Sequence, residues 1–149
     1  VVDMSRHFAD LGVESLSLAD STGLAHPRMI KERVRAVQDA IGDTPLVLHL
    51  HDTRGLGLAN VYAALQCGVE RFDTSLAGMG GCPFIDGATG NIATEDTAYL
   101  LDGLGIETGV DRDAVGRASA RVESFLAKKF PGKLHRLLQR AEGAETAVE

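Results

Sequence analysis

His49-Leu50-His51 sets two imidazoles at alternate positions, and a glycine-rich stretch from Gly78 to Asn91, about thirty residues on, carries a thiol at Cys82 and a carboxamide at Asn91. On a strand, side chains two residues apart share a face, so both rings would point the same way. Imidazole nitrogens are ligands for divalent metals, and a carboxamide oxygen suits a hard cation. A thiol in an aperiodic glycine loop is harder to place in a core than in a reactive site. The combination predicts a metal site beside a reactive cysteine. The competing reading, in which one histidine is ligand-like and the other satisfies a buried backbone group, loses ground because the pair closes a strand.

Pro45 to His51 is a short apolar run bounded by a proline and by polar Asp52-Thr53-Arg54-Gly55, which marks the strand and puts the histidines at its C-terminal end. Ligands bind at that end in parallel α/β proteins, where loops and helix N-termini converge. Upstream, Val13 to Leu18 alternates apolar and polar residues and reads as a strand delivering Asp20. Pro27 opens a helix that Gly42 closes, with Ile30, Val34, Val37 and Ile41 on one side. Leu56 to Gln66 is the next helix, and Val69 to Leu76 a third strand running into the glycine loop. Thr94-Glu95-Asp96 starts a helix that stops at Gly103, with a capping hydroxyl and two favourable acids, and Asp111 to Phe130 is a longer amphipathic helix. Residues 1–130 form the barrel part and 131–149 a tail, basic and then Ala/Glu-rich, whose last residues are expected to be disordered.

Strict βα alternation implies parallel strands. Three strands leave edges unburied, and a (β/α)₈ barrel takes about 250 residues. The fold expected is therefore α/β, the C-terminal part of a (β/α)₈ TIM barrel with about three βα units plus C-terminal helices. The opening Val2 to Gly12 reads as the end of a helix leading into a strand, with the N-terminal strands missing.

The 149 residues are 44% hydrophobic with a net charge of -6, which excludes a broad nucleic-acid surface. No apolar run approaches the roughly 20 residues that span a bilayer, and the N-terminus lacks a secretory pattern, so no membrane partner and a cytoplasmic location are expected. Cys67 and Cys82 are too few for a disulfide framework. Cys67 ends a helical pattern and is expected to be a packed core thiol.

Leu18 to Gly23, His49 to Asn60, and Gly78 to Asn91 continuing into Ala93 to Asp96 together resemble the second half of 3-hydroxy-3-methylglutaryl-CoA lyases. Three motifs occur in the same order and spacing, and the resemblance covers Val1 to Asp111. It implies a metallolyase TIM barrel performing retro-Claisen cleavage of 3-hydroxy-3-methylglutaryl-CoA to acetoacetate and acetyl-CoA, in leucine degradation and ketone-body formation. It implies His49, His51 and Asn91 as metal ligands for Mg²⁺ or Mn²⁺. Cys82 would be the catalytic thiol, with His49 and Asp20 as further catalytic residues and Asp20 near metal and substrate. The partners implied are an acyl-CoA substrate and, in the intact protein, further copies of itself as a homo-oligomer.

The residue types suit that chemistry. Cleavage removes a hydroxyl proton, releases a thioester enolate and protonates its carbon. A divalent cation acidifies the hydroxyl, and a thiol on a glycine loop that closes, as Gly78, Gly80, Gly81, Gly87 and Gly90 would permit, supplies a proton to carbon. Members of the family draw an arginine and an aspartate, the latter a metal ligand and candidate base, from a first strand that this chain does not contain, so the chain alone is expected to be inactive or nearly so. Arg54 and Asp86 stand where relatives often carry an aromatic and another short residue, which adds charge near the pocket.

Three other readings compete. Condensing synthases of the superfamily resemble His-x-His-Asn-Asp with a Gly-x-Gly-Glu-Arg-x-Gly-Asn loop, whereas Asp52-Thr53 and a cysteine loop stand here. A metal hydrolase requires more ligands downstream, where His135 is the single later histidine. A non-catalytic half-barrel would pair its strand edges with another chain. His7 and His26 read as solvated or capping groups, and Asp52 and Asn60 as supports for the strand and the following helix. Glu95 and Asp96 read as first-turn helix acids. The basic cluster Lys128, Lys129, Lys133, Arg136 and Arg140 reads as a solvated helix face, with a CoA-phosphate contact as the alternative.

Overall fold

Leu16–Asp20, Leu46–Leu50 and Arg71–Asp73 become three parallel strands because the helix between each successive pair is long enough to carry the chain back. The computed structural model describes residues 1–81, 87 and 89–138. The chain divides into two units, Val1–Asp73 and Thr74–Glu149.

The first unit runs α1 (Val2–Asp10), β1 (Leu16–Asp20), α2 (Pro27–Ile41), β2 (Leu46–Leu50), α3 (Gly57–Leu65) and β3 (Arg71–Asp73). The sheet order is β1-β2-β3, all parallel, with Leu18 opposite Leu48 and Leu48 opposite Phe72. Leu16, Leu18, Leu46, Leu48, Leu50 and Phe72 share one face, and Leu48 and Leu50 are each only 1% exposed. α2 buries Ile30, Val34, Val37 and Ile41, which recur every three or four residues and so form one stripe. Each such side chain contributes about 1.5–3 kcal/mol on full burial. Pro27 occupies the first turn of α2, and the His26 ring caps it, Nδ1 accepting from the Met29 amide at 3.3 Å.

The other face of this sheet carries Ser17 and Ala19 from β1, Val47 and His49 from β2, and Arg71 and Asp73 from β3. Ser17, Ala19, Arg71 and Asp73 are exposed. Parallel sheets are ordinarily covered on both faces. A sheet with one face packed by helices and the other polar and open is what a segment of barrel wall presents, the open face being the barrel interior.

In the second unit a 3-10 turn at Leu76–Gly78 follows an isolated parallel bridge from Ser75 to Ala93. Then come α4 (Thr94–Gly103), α5 (Arg112–Phe125) and helical backbone over residues 134–138. Asp111 caps α5, accepting from the Asp113 and Ala114 amides. The helix stops at Phe125 rather than Phe130 because Ala127 takes a left-handed conformation, φ 47°. α4 does not use the expected hydroxyl cap; Thr94 Oγ1 pairs instead with Thr74 Oγ1 at 2.8 Å. Among the described residues, no helix is long and apolar enough to cross a membrane. The catalytic assignment of Cys82, the comment on Asp86, Arg140 of the basic cluster and the disordered end of the tail all fall outside the described residues.

Candidate functional site

β2 ends on the histidine pair. His49 and His51 leave the strand two residues apart, and their Nε2 atoms stand 3.3 Å from each other. The ring centroids are 5.2 Å apart and the planes tilted by 55°, so the rings converge at their tips rather than stack. Two imidazole lone pairs at that separation repel unless a proton or a cation lies between them. Nitrogens each about 2.1 Å from one ion stand roughly 3.0–3.4 Å apart for angles between a right angle and the tetrahedral one. The spacing therefore fits adjacent ligands of a single divalent ion. His51 is 7% exposed, while His49 faces the open side of the sheet.

The far nitrogen of His49 is also occupied. Nδ1 lies 3.5 Å from Asp73 Oδ2, in the adjacent register position on β3, and that oxygen accepts from Ser17 Oγ at 3.3 Å. A carboxylate on Nδ1 favours the tautomer that leaves the Nε2 lone pair outward, as ligating histidines require. Asp73 was not singled out from the sequence; its position alternating with Phe72 on a strand adjacent to the histidines was the available signal.

Asp20 lies in register with Leu50, whereas Ala19 is in register with His49, so Asp20 leaves the sheet on the opposite face from His49. Its oxygens are taken by the following loop. Oδ1 accepts from the Leu24 amide at 3.1 Å and from Thr22 Oγ1 at 3.3 Å, and Oδ2 from the Ala25 amide at 3.0 Å. Arg54 Nη1 donates to the Thr22 and Gly23 carbonyls and so ties the loop after β2 to the loop after β1. Asp52 accepts from the Gly57 amide at 2.7 Å at the start of α3, and buried Asn60 donates to the Ala25 carbonyl at 2.9 Å. These residues build the rim at the strand ends. Cys67 is half-buried, and its carbonyl accepts from Gln38 Nε2.

Asn91 belongs to the second unit. Its Nδ2 donates to the Met79 carbonyl at 2.9 Å, and its Oδ1 is buried with no hydrogen-bond partner among the described residues. An orphaned, oriented carboxamide oxygen fits a hard cation, which takes oxygen ligands. The neck around it is tight. Gly90 has φ 115°, and a Cβ there would overlap the Gly80 carbonyl oxygen, so the two arms of the loop touch backbone to backbone. Among the described residues no three of His, Cys, Asp and Glu gather closely enough to hold an ion.

A cavity of about 650 Å³ opens in the same unit, lined by Met79, Gly80, Thr89, Lys128, Lys129 and Phe130 among others. Lys128 and Lys129 thus stand beyond the end of α5, on a cavity wall rather than on a helix face, and Lys128 Nζ sits 5.7 Å from the centre of the Phe130 ring. Behind the wall is a buried polar cluster. Glu95 and His135 are both 0% exposed, with His135 Nδ1 3.1 Å from Glu95 Oε1 and His135 Nε2 3.5 Å from Glu123 Oε1. Burial raises the Glu123 carboxyl, but the Phe130 amide at 2.8 Å, His135 and Arg136 outweigh it and hold the group below the ordinary glutamate value. Glu95 and Asp96 do occupy the first turn of α4, yet their carboxylates serve tertiary contacts: Glu95 accepts from the Ala77 amide, Asp96 from the Lys133 and Leu134 amides. His135, expected in a tail, is among the most buried side chains of this unit.

The HMGL-like family model matches residues 1–122. An (R)-citramalyl-CoA lyase from Chloroflexus aurantiacus is 43% identical over 128 residues, covering 86% of this chain and 40% of that protein. A hydroxymethylglutaryl-CoA lyase from Pseudomonas mevalonii is 43% identical over 126 residues, 85% of this chain and 42% of that protein. The solved HMG-CoA lyase of Acinetobacter baumannii, in complex with coenzyme A and 3-methylmalate, superposes with a TM-score of 0.84 at 42% identity, covering 90% of this chain and 44% of that one. The chain spans about two fifths of the length of these curated relatives.

Proposed function

The chain belongs to the HMGL-like family, and on that premise we propose that it is the C-terminal part of a divalent-cation-dependent lyase that cleaves a carbon–carbon bond in a 3-hydroxyacyl-CoA, with 3-hydroxy-3-methylglutaryl-CoA as the substrate and acetoacetate and acetyl-CoA as the products. The observation that carries this reading is the 3.3 Å separation of the His49 and His51 Nε2 atoms at the end of β2, which calls for a cation or a proton between them. His49, His51 and Asn91 would hold the ion, Mg²⁺ or Mn²⁺. Bound there, it would polarise the substrate's hydroxyl and carbonyl oxygens.

The chain's own residues have separate tasks. Asp73 keeps the Nδ1 proton of His49 in place, so that Nε2 stays a lone-pair donor. Asp20 serves the site by shaping the loop after β1. In the cleavage the hydroxyl proton passes to a base, the C–C bond breaks with its electron pair going to the acetyl-CoA enolate, and Cys82 gives its thiol proton to the enolate carbon. Lys128 and Lys129 on the cavity wall favour an anionic substrate, in keeping with the coenzyme A bound by the Acinetobacter relative. The 149-residue chain by itself leaves the inner face of the sheet open, and we expect it to turn over little or no substrate.

A second acyl group is favoured by one observation, the 43% identity to a citramalyl-CoA lyase. The test is acetyl-CoA release by the full-length protein from each of the two acyl-CoA esters, with and without Mn²⁺. We expect release that needs metal, falls at least about a hundredfold in Cys82→Ala, and is faster from the hydroxymethylglutaryl ester. Faster release from citramalyl-CoA would change the substrate assignment, and metal-independent release would overturn the cation.

A further inference from the structure

We propose that Glu95, with His135 and Ser119 beside it, is the positioning residue for Asn91: it fixes the left-handed turn at Ala77–Gly78 and, through that turn, the orientation of the Asn91 carboxamide. The inference rests on the reading of Asn91 as a cation ligand and adds to it the residues that aim the ligand.

The turn is the unusual element. Ala77 is fully buried with φ 55°, and Gly78 follows with φ 70°. A non-glycine residue in the left-handed region persists only where its surroundings over-determine it. Here they do. The Ala77 amide is shared between Glu95 Oε2 at 3.2 Å and Ser119 Oγ at 3.0 Å, and the Ala77 carbonyl accepts from the Gly132 amide at 2.8 Å. Three separate segments of the second unit, α4, α5 and the stretch after Phe130, therefore grip one residue.

What leaves the turn is Met79, whose carbonyl accepts from Asn91 Nδ2 and from Ser75 Oγ. The Met79 carbonyl is thus the seat of the carboxamide, and holding Nδ2 on it commits Oδ1 to the opposite direction. Glu95 is itself held: its other oxygen meets His135 Nδ1, and the far side of that ring faces Glu123. A buried acid–imidazole pair is a poor source of stability compared with apolar packing of the same volume. It is a good source of direction, because both partners must stay in line. The sequence interval of 40 residues between Glu95 and His135 closes a chain of contacts that ends on a side chain only four residues from Glu95.

Mn²⁺ titration of the full-length protein, followed by electron paramagnetic resonance well below the unfolding temperature, tests the idea in Ser119→Ala, Glu95→Gln and Glu95→Ala. The Asn91 side-chain amide signals are followed by NMR in the same proteins. Ser119→Ala and Glu95→Ala are expected to weaken Mn²⁺ binding about tenfold or more, lower kcat more than they change KM, and shift the Asn91 amide signals. Glu95→Gln, which keeps an acceptor for Ala77, is expected to recover most of the affinity. Variants that lose only thermal stability, with Mn²⁺ affinity and Asn91 signals unchanged, would overturn the proposal; Ser119→Ala carries this test if Glu95→Ala does not fold. Wild-type protein that fails to bind Mn²⁺ would instead remove the cation reading, and unshifted Asn91 signals would then separately refute the positioning.

Discussion

The two units hold their chemistry in place by opposite means. In residues 1–73 the histidines ride on a strand whose alternate residues, Leu46, Leu48 and Leu50, are locked into an apolar layer, so the period of the sheet aims the rings. In the unit that begins at Thr74, Asn91 occupies an isolated bridge position rather than one of the named strands. It is aimed by hydrogen bonds and by backbone packed against backbone at Gly90, with buried Glu95 and Ser119 supplying the grip on the turn. The first arrangement tolerates many apolar sequences, provided volume and pattern are kept. The second depends on single atoms. Placement by periodicity is distributed over a whole element, whereas placement by a buried polar contact is concentrated in a few residues.

That contrast predicts an order of damage. Gly90→Ala should be the most harmful change, costing about 4 kcal/mol or more, because the added carbon overlaps a backbone carbonyl that has nowhere to move. Amide hydrogen exchange should show protection collapsing around Ala77 and Met79, and retention of protection there would break the comparison. Leu48→Ala should cost about 3 kcal/mol in urea unfolding. The protein should nevertheless keep its Mn²⁺ affinity below the transition, since neighbouring leucines preserve the register. Loss of affinity without loss of stability would show that the strand does not aim the rings by packing alone. The smallest effect is expected from acid. Glu123 has its folded value depressed, so its contribution is present above the ordinary glutamate value and is lost as pH falls through the folded one. Protection of the Phe130 amide, which donates to Glu123, should decline in that window, and Glu123→Gln should flatten the decline.

Legibility from sequence follows the same division. The βα order, the span of α2 between Pro27 and Gly42 and the histidines at the end of β2 could be read because local patterns dictate them. Boundaries moved where tertiary contacts intervened: β1 is Leu16–Asp20 rather than Val13 to Leu18, and β3 is only Arg71–Asp73 because the chain breaks pairing to enter the turn at Leu76–Gly78. Asp73 as partner of His49 required knowing which strands are neighbours and in which register. The Glu95–His135 contact was out of reach, since acids at a helix start already have a sufficient local explanation and nothing in a basic segment marks one histidine as buried. Sequence motifs are most legible where chemistry is displayed on regular structure.

Asn91 uses both ends of its carboxamide, one to donate to Met79 and one left over as an acceptor. This narrows what selection can accept at the position. Aspartate has the same shape and would bring a full negative charge to a cation, yet it would turn an oxygen toward the Met79 carbonyl and lose the seat. Serine could donate but is too short to accept at the same place, and glutamine adds a methylene to a neck already closed by glycine. Position 91 is therefore one at which the chemically stronger ligand makes the poorer protein, and an asparagine there records a compromise between holding an ion and being held.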